Sequence, residues 1–274
     1  MSVQKNLKIS IVQASLVWEN KGANLRHLGE LIADSQNDSD IIVLPEMFST
    51  GFSMNAKKLA ESDEGGTLAW MKELAQKSNS AVVGSFIAKV SEGVENRFYN
   101  RLHWVEPSGI IRTYDKRHLF SFAGEANHYS AGKERLIVEY KGWRICPMVC
   151  YDLRFPVWSR NASLDGESDK DAYDLLIYVA NWPEARNSAW INLLEARSHE
   201  NQAYVVGVNR VGKDGNGINH IGNSAIFSPK GELLSKRIVE EEAVQTVEVG
   251  LYDLINYREK FRAWGDKDVF ELKQ

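Results

Sequence analysis

Trp143-Arg144-Ile145-Cys146-Pro147-Met148-Val149-Cys150-Tyr151-Asp152-Leu153-Arg154-Phe155-Pro156 changes character at Cys150. The residues before it form an apolar run of the kind found in strands buried on both faces. The residues after it bring in short polar side chains and read as a turn into a helix. Backbone N–H groups at the start of a helical turn lack intrahelical partners. A thiol at such a junction stands near donors that lower its pKa and bind a developing oxyanion. It needs that help, since a free cysteine has a pKa of about 8.5 and is mostly protonated at neutral pH. A buried cysteine is also often a small hydrophobe and nothing more. The rest of the chain decides between these readings.

Upstream, Leu7-Lys8-Ile9-Ser10-Ile11-Val12-Gln13 alternates apolar and polar residues and predicts a strand. Asn20 is the expected N-cap of a helix carrying Leu25, Leu28 and Ile32 at helical spacing. Ile41-Ile42-Val43-Leu44 is all apolar and predicts a strand buried on both faces. Residues 67–78 read as a helix and 81–87 as another buried strand. Strands at 98–105 and 110–115 flank Glu106-Pro107-Ser108-Gly109, a type I turn signature that makes part of the sheet antiparallel.

Downstream, residues 175–179, 204–209, 224–227, 233–238 and 245–249 read as strands, with a helix over 187–200. Ser228-Pro229-Lys230-Gly231 repeats the hairpin chemistry. The acidic stretch 161–171 and Glu240-Glu241-Glu242 read as solvated loops or faces. No Pro/Gly/Ser-rich linker and no repeat divides residues 1–274, which are expected to form one domain. More than ten strands in one α/β domain favour two stacked sheets over a single open one.

Composition narrows the function. With 274 residues, 43% of them hydrophobic, the chain can build a substantial core. A net charge of -4 and a pI near 5.9 argue against a nucleic-acid partner. The two cysteines, Cys146 and Cys150, would point to the same face of one strand, so they make a poor disulfide and a weak metal pair. The N-terminus enters a strand with no signal-peptide stretch, and no apolar run reaches the ~18 residues of a membrane span. A soluble cytoplasmic protein without a membrane partner is the expectation.

Two other charged residues occupy positions like that of Cys150. Glu46 follows the apolar run 41–44 through Pro45, and Lys116 follows the strand ending at Asp115. Both stand at C-terminal strand ends, where α/β folds place their active sites. Singly, each is most simply a surface charge. Together, a carboxylate, a cation and a thiol make a more specific set. His103, His118, His128, His199 and His220 are scattered and form no site, although His118 and His128 flank the proposed region.

Pro45-Glu46-Met47-Phe48, Tyr114-Asp115-Lys116-Arg117-His118-Leu119-Phe120 and Val149-Cys150-Tyr151-Asp152-Leu153-Arg154-Phe155-Pro156 resemble, in order and spacing, the three signature blocks of the nitrilase (carbon–nitrogen hydrolase) superfamily. The resemblance runs from Lys8 to about Val249. Glu46 to Met54, Cys150 to Pro156 and Ala180-Asn181-Trp182-Pro183 are similar to its omega-amidase branch.

The resemblance implies a four-layer α-β-β-α sandwich of two mixed sheets. It implies a Glu46–Lys116–Cys150 triad, with Glu125 as a second carboxylate that holds Lys116 and the substrate amide. It implies hydrolysis of the terminal amide of a small omega-amide acid, such as 2-oxoglutaramate or 2-oxosuccinamate, through a cysteine thioester. Lys116 and the Tyr151 N–H would bind the oxyanion. No metal or organic cofactor is required, and a homodimer or larger homo-oligomer is implied. Arg154 is a candidate for the substrate's distal carboxylate, because a guanidinium grips a carboxylate through two hydrogen bonds. A salt bridge from Arg154 to Asp152 or another acid is the structural alternative. Phe48, Phe52 and Trp182 are candidate pocket walls, with Phe48 and Trp182 favoured by the branch resemblance.

Other readings remain open. An N-carbamoyl amino acid hydrolase or a nitrilase proper would share the triad and differ in the pocket. A non-catalytic homologue would be free to lose one of Glu46, Lys116 and Cys150. A dinucleotide-binding fold lacks its Gly-rich fingerprint after the first strand.

Overall fold

Alternation in the first strand sends Leu7, Ile9 and Ile11 into one buried cluster and Val12 into another, so the strand is buried on both faces from Ile9 onward. The computed structural model describes residues 6–35, 38–92, 95–162, 172–268 and 270–272. Its strands are β1 (Asn6–Gln13), β2 (Ile41–Val43), β3 (Ala81–Glu92), β4 (Glu95–Val105), β5 (Ile111–Asp115), β6 (Val138–Tyr140), β7 (Trp143–Val149), β8 (Leu175–Ala180), β9 (Tyr204–Asn209), β10 (Val211–Lys213), β11 (Asn219–Ile221), β12 (Ala225–Phe227) and β13 (Ala243–Gly250). The helices are α1 (Lys21–Asp34), α2 (Ala56–Leu59), α3 (Gly66–Ser78), α4 (Pro156–Ser159), α5 (Asn187–Asn201) and α6 (Leu251–Lys260).

One six-stranded sheet runs β13-β1-β2-β3-β4-β5, and a five-stranded sheet runs β12-β9-β8-β7-β6. β1, β2 and β3 are mutually parallel, and so are β7, β8 and β9. β4 returns antiparallel and β5 antiparallel again, so β2 and β5 end at the same edge of their sheet.

The two sheets face each other. Ile9, Ile41, Val83 and Trp104 from the first share one buried cluster with Ile145, Met148, Ile177 and Val206 from the second. Burial of each such side chain stabilises by roughly 1.5–3 kcal/mol. The other face of the first sheet, with Val12, Ile42 and Val82, is covered by Leu28 of α1 and by Leu68, Met71 and Ala75 of α3. Ile41 and Ile42 therefore enter different cores, which is why that run is apolar throughout. On the second sheet α5 lies over β9 and β12 through Trp190 and Leu194. Gly207 of β9 permits this approach, since a Cβ there would sit 2.4 Å from Leu194 Cδ1. The layers are α-β-β-α, as expected from the sequence. Among the described residues no helix is long and apolar enough to cross a membrane.

Local expectations meet mixed outcomes. Asn20 caps α1 by accepting from the Ala23 N–H at 3.1 Å. Gly109 closes the 106–109 turn by donating its N–H to the Glu106 carbonyl at 2.9 Å. Residues 233–238 do not form a strand; they make the isolated bridge of Leu233 to Phe227 and two backbone bonds, from the Leu234 N–H to the Ile226 carbonyl at 2.8 Å and from the Asn223 N–H to the Ile238 carbonyl at 3.3 Å. Side chains take over the ladder there: Ser235 Oγ accepts from the Ile226 N–H, and the Gln245 amide pairs with both backbone groups of Lys236. Of the acidic stretch 161–171, only residues 161 and 162 fall among the described residues.

Candidate active site

Parallel strands bring their C-terminal ends to one edge, and opposing sheets bring two such edges together. Glu46 lies three residues beyond β2, Lys116 directly follows β5, and Cys150 directly follows β7. Cys150 takes φ 44° and Met47, beside Glu46, takes φ 43°. These left-handed positions cost non-glycine residues about 1–3 kcal/mol each and are typical of functional elbows. A short helical turn, Cys150–Arg154, follows the thiol as the sequence predicts.

Lys116 Nζ donates to Glu46 Oε1 at 2.9 Å and to Glu125 Oε2 at 2.9 Å and Oε1 at 3.1 Å. All three side chains are almost wholly buried. Gly124, at φ 73°, turns the chain so that Glu125 also accepts from the Phe120 N–H. Burial pulls the Lys116 pKa down, but the charges of Glu125 and Glu46 outweigh it and hold the ammonium protonated. Burial pushes the Glu125 carboxyl up, Lys116 opposes it, and Glu46 reinforces it. A buried charge cluster is an expensive way to stabilise a fold and a frequent mark of a functional site.

Two asparagines absent from the sequence-based candidates complete the cluster. Asn100 Nδ2 donates to Glu46 Oε1 at 2.7 Å and to Glu125 Oε1 at 3.2 Å. The Asn181 N–H donates to Glu46 Oε2 at 2.8 Å. Asn100 looks like an ordinary polar position in an alternating strand. Asn181 follows β8 in the Ala180–Pro183 segment, which was the available signal.

The Cys150 thiol departs from the sequence expectation. Its pKa is raised well above the ordinary value, first by burial and then by the charge of Glu46, with Lys116 only partly opposing. Turn N–H groups do not outweigh desolvation here. The resting group is a thiol beside the Glu46 carboxylate. Cys146 is fully buried inside β7, where burial pushes its pKa up to about 12. Both cysteines are free.

Asp152 ties the Cys150 turn to the Lys116 loop. Its Oδ1 accepts from the His118 N–H at 3.0 Å and faces His118 Nδ1 at 2.8 Å. Its Oδ2 accepts from the Tyr114 hydroxyl at 2.7 Å and the Val149 N–H at 3.1 Å. Asp152→Asn would turn an amide donor toward these donors, at a cost of about 1–3 kcal/mol for an unsatisfied buried group. A lower melting temperature and a loss concentrated in kcat are expected; an unchanged melting curve would show that this clamp carries no strain.

A cavity of ≈ 350 Å³ opens onto Glu46, Lys116 and Cys150. Phe52, Phe120, Phe122, Tyr151, Trp182, Arg154 and Arg186 also line it. Arg154 lies 4.9 Å over the Trp182 ring and has no carboxylate partner among the described residues. Asp152 is engaged elsewhere, as above. Phe48 does not line the cavity. It is fully buried on the outer face of the first sheet, with its ring 5.8 Å from Trp70 and 6.4 Å from Phe86. Gly84 leaves the room for it, since a Cβ there would come within 2.8 Å of the Phe48 ring.

Comparison with known proteins agrees with this architecture. The family described as "Carbon-nitrogen hydrolase" matches residues 8–259. Omega-amidase YafV of Escherichia coli (strain K12) is 47% identical over 268 residues, covering 97% of this chain and 98% of that protein. The 2-oxoglutaramate amidase of Bacillus subtilis (strain 168) is 30% identical over 267 residues, covering 96% and 98%. A crystal structure of a CN-hydrolase superfamily protein from Xanthomonas campestris, with an arsenic adduct in its active site, superposes with a TM-score of 0.92 at 42% identity. It covers 98% of this chain and 100% of that one. By fold and by sequence across nearly its whole length, this chain belongs to the carbon–nitrogen hydrolase family, whose members are hydrolases of non-peptide C–N bonds.

Proposed function

We propose that the chain hydrolyses the terminal amide of small omega-amide acids, of the 2-oxoglutaramate and 2-oxosuccinamate type, to the acid and ammonia. The observation that carries this reading is one cavity in which Glu46, Lys116 and Cys150 converge with an arginine, Arg154, that has no carboxylate partner among the described residues. The omega-amidase and 2-oxoglutaramate amidase relatives support it.

An amide is a poor electrophile with a poor leaving group, and covalent catalysis divides its hydrolysis into two easier steps. Cys150 Sγ attacks the amide carbon while Glu46 takes the thiol proton. Glu46 returns that proton to the nitrogen as the C–N bond breaks and ammonia leaves. Lys116 and the Tyr151 N–H stabilise the tetrahedral oxyanion; one such donor is worth about 3 kcal/mol. Glu46 then takes a proton from water as it attacks the thioester, and gives it back to the departing sulfur. Glu125 and Asn100 hold Lys116 and Glu46 in register. Every proton is handled by residues of this chain.

The test is ammonia release from 2-oxoglutaramate, 2-oxosuccinamate, a neutral aliphatic amide, a nitrile and an N-carbamoyl amino acid. Preference for the omega-amide acids is expected; preference for the nitrile or the carbamoyl compound would replace this reading with another of the family. Arg154→Met is expected to lose roughly ten- to a hundredfold in kcat/KM on the charged amides, and much less on the neutral one. An equal loss on all substrates with a depressed melting temperature would make Arg154 structural.

We infer further that residues 1–274 act as one domain, supported by a single family match over 8–259. A homo-oligomer in the cytoplasm is the accompanying reading. Exposed Tyr252 and Ile255 on α6, with Phe261 just beyond it, support the oligomer. Sedimentation of a monomer at micromolar concentration would reject it.

A further inference from the structure

The polar groups of the cavity fall into two sets. Glu46, Lys116, Cys150 and Asn181 account for the reacting end. Arg154, Arg186, Asp214, Asn216 and His220 are left over. His220 is buried, and burial followed by the nearby Arg210 brings its pKa down to about 4, so it carries no charge at neutral pH. Asp214 Oδ1 closes its own turn by accepting from the Asn216 N–H at 2.8 Å and the Ile218 N–H at 2.9 Å. Glu184, on the same short turn as Arg186, engages Asn219 Nδ2 at 2.9 Å.

Arg186 thus makes no ion pair among the described residues. Its guanidinium rests instead 5.0 Å from the Phe122 ring centroid and 5.6 Å from that of Phe120. Phe122 is 82% exposed, so this is an aromatic spent on a cation at the cavity mouth and not on the core. Stacking on a ring face holds a guanidinium while leaving its N–H edge free to bind a ligand. The backbone fixes the base of the same side chain, because the Arg186 carbonyl accepts from Trp182 Nε1 at 2.8 Å. Trp182 in turn carries Arg154 on its face. Two permanently charged forks are therefore mounted on linked aromatic walls of one small cavity.

One carboxylate occupies one fork. We propose that Arg186 is a specificity-determining residue that, beside Arg154, selects 2-oxo acid amides over 2-amino acid amides. The inference rests on the omega-amide reading above and deepens it. A 2-oxo acid presents a carboxylate and an adjacent carbonyl oxygen, which are acceptors only and suit two donor forks. The corresponding amino acid presents an ammonium at the adjacent carbon, which repels a guanidinium and offers donors to a donor.

The experiment measures kcat and KM for wild type, Arg186→Met and Arg186→Lys on 2-oxoglutaramate, glutaramate, glutamine and a neutral aliphatic amide. Glutaramate keeps the carboxylate and lacks the oxo group. For Arg186→Met, KM for 2-oxoglutaramate should rise roughly ten- to a hundredfold, as loss of a charge-assisted hydrogen bond predicts, with kcat little changed. Glutaramate should lose less, and the preference for 2-oxoglutaramate over glutamine should narrow by a similar factor. Arg186→Lys should recover part of that preference, because the charge persists without the fork. An equal loss on all four amides, or unchanged selectivity, would overturn the role of Arg186 while leaving the omega-amidase reading intact. A wild-type enzyme inactive on 2-oxoglutaramate and active on the neutral amide would overturn both.

Discussion

Cys150→Ala is expected to reduce turnover by at least about 10⁴-fold, because the covalent step loses its nucleophile. The fold should survive: Cys150 directly follows β7 and makes no disulfide, and its sulfur lies 4.0 Å from the Asn181 carbonyl. Cys146→Ala, by contrast, should keep activity within about twofold and cost about 1 kcal/mol of stability, as the loss of a small buried apolar group does. Incubation with substrate followed by acid quench and peptide mass mapping should place an acyl group on Cys150 alone. An adduct on Cys146, or a Cys150→Ala enzyme that still turns over, would reject the nucleophile assignment. The raised thiol pKa adds a condition. In the proposed mechanism attack depends on Glu46 as the base, so a Glu46→Gln enzyme should fail at acylation even though its cysteine is intact.

Lys116→Met should lose at least about 10³-fold in kcat/KM and also about 3–5 kcal/mol of stability, the usual result of removing one partner from a buried charge cluster. In a chain of this size that corresponds to a fall of about 10 °C in melting temperature. The pH dependence follows from the same cluster. Burial already raises the Glu125 carboxyl, and Lys116 is the group that opposes the rise. Without it, the folded-state pKa of Glu125 climbs further above the unfolded value of about 4.3. The folded variant then binds more protons than its unfolded chain in the window between those values, so its stability falls as pH rises through that window. The melting deficit against wild type should be smaller at pH 5 than at pH 8. A gap that does not vary with pH would show that Lys116 is not the neutralising charge of the pair.

How much of this was legible depends on how local each feature is. The α1 cap at Asn20, the turn at Gly109 and the double burial of Ile41 and Ile42 are written within a few residues, and they appear in the structure as read. Residues 233–238 misled because their apolar positions mimic a strand while side chains of Ser235 and Gln245 take the hydrogen bonds a ladder would use. Phe48 misled because proximity in sequence to Glu46 is not proximity to the cavity; it turns the other way, under Trp70. Asn100 went unnoticed because a polar residue on a strand is ordinarily solvated, and Asn181, although part of the quoted Ala180–Pro183 segment, was not read as a partner of Glu46 because nothing local shows that it meets a carboxylate from elsewhere.

By itself the sequence determined most of the longer strands and helices through residue periodicity, residues 233–238 excepted. It also pointed to a stacked-sheet architecture through strand number, and singled out Glu46, Lys116 and Cys150 as candidates through their places at strand ends and the resemblance of their segments to the family's three signature blocks. Only the tertiary structure decided that these ends coincide: Glu46 and Lys116 come from one sheet and Cys150 from the other, and the parallel order of β2, β5 and β7–β9 within the sheets brings them to one place. It also decided the protonation of the thiol, which burial raises where the turn alone would lower it. Among the described residues it left Arg154 and Arg186 without an acid partner, with Asp152 taken by Tyr114, His118 and Val149. The physical reason is range. Periodicity and caps are set by neighbours along the chain, whereas desolvation, charge pairing and cavity shape are set by groups tens to hundreds of residues away.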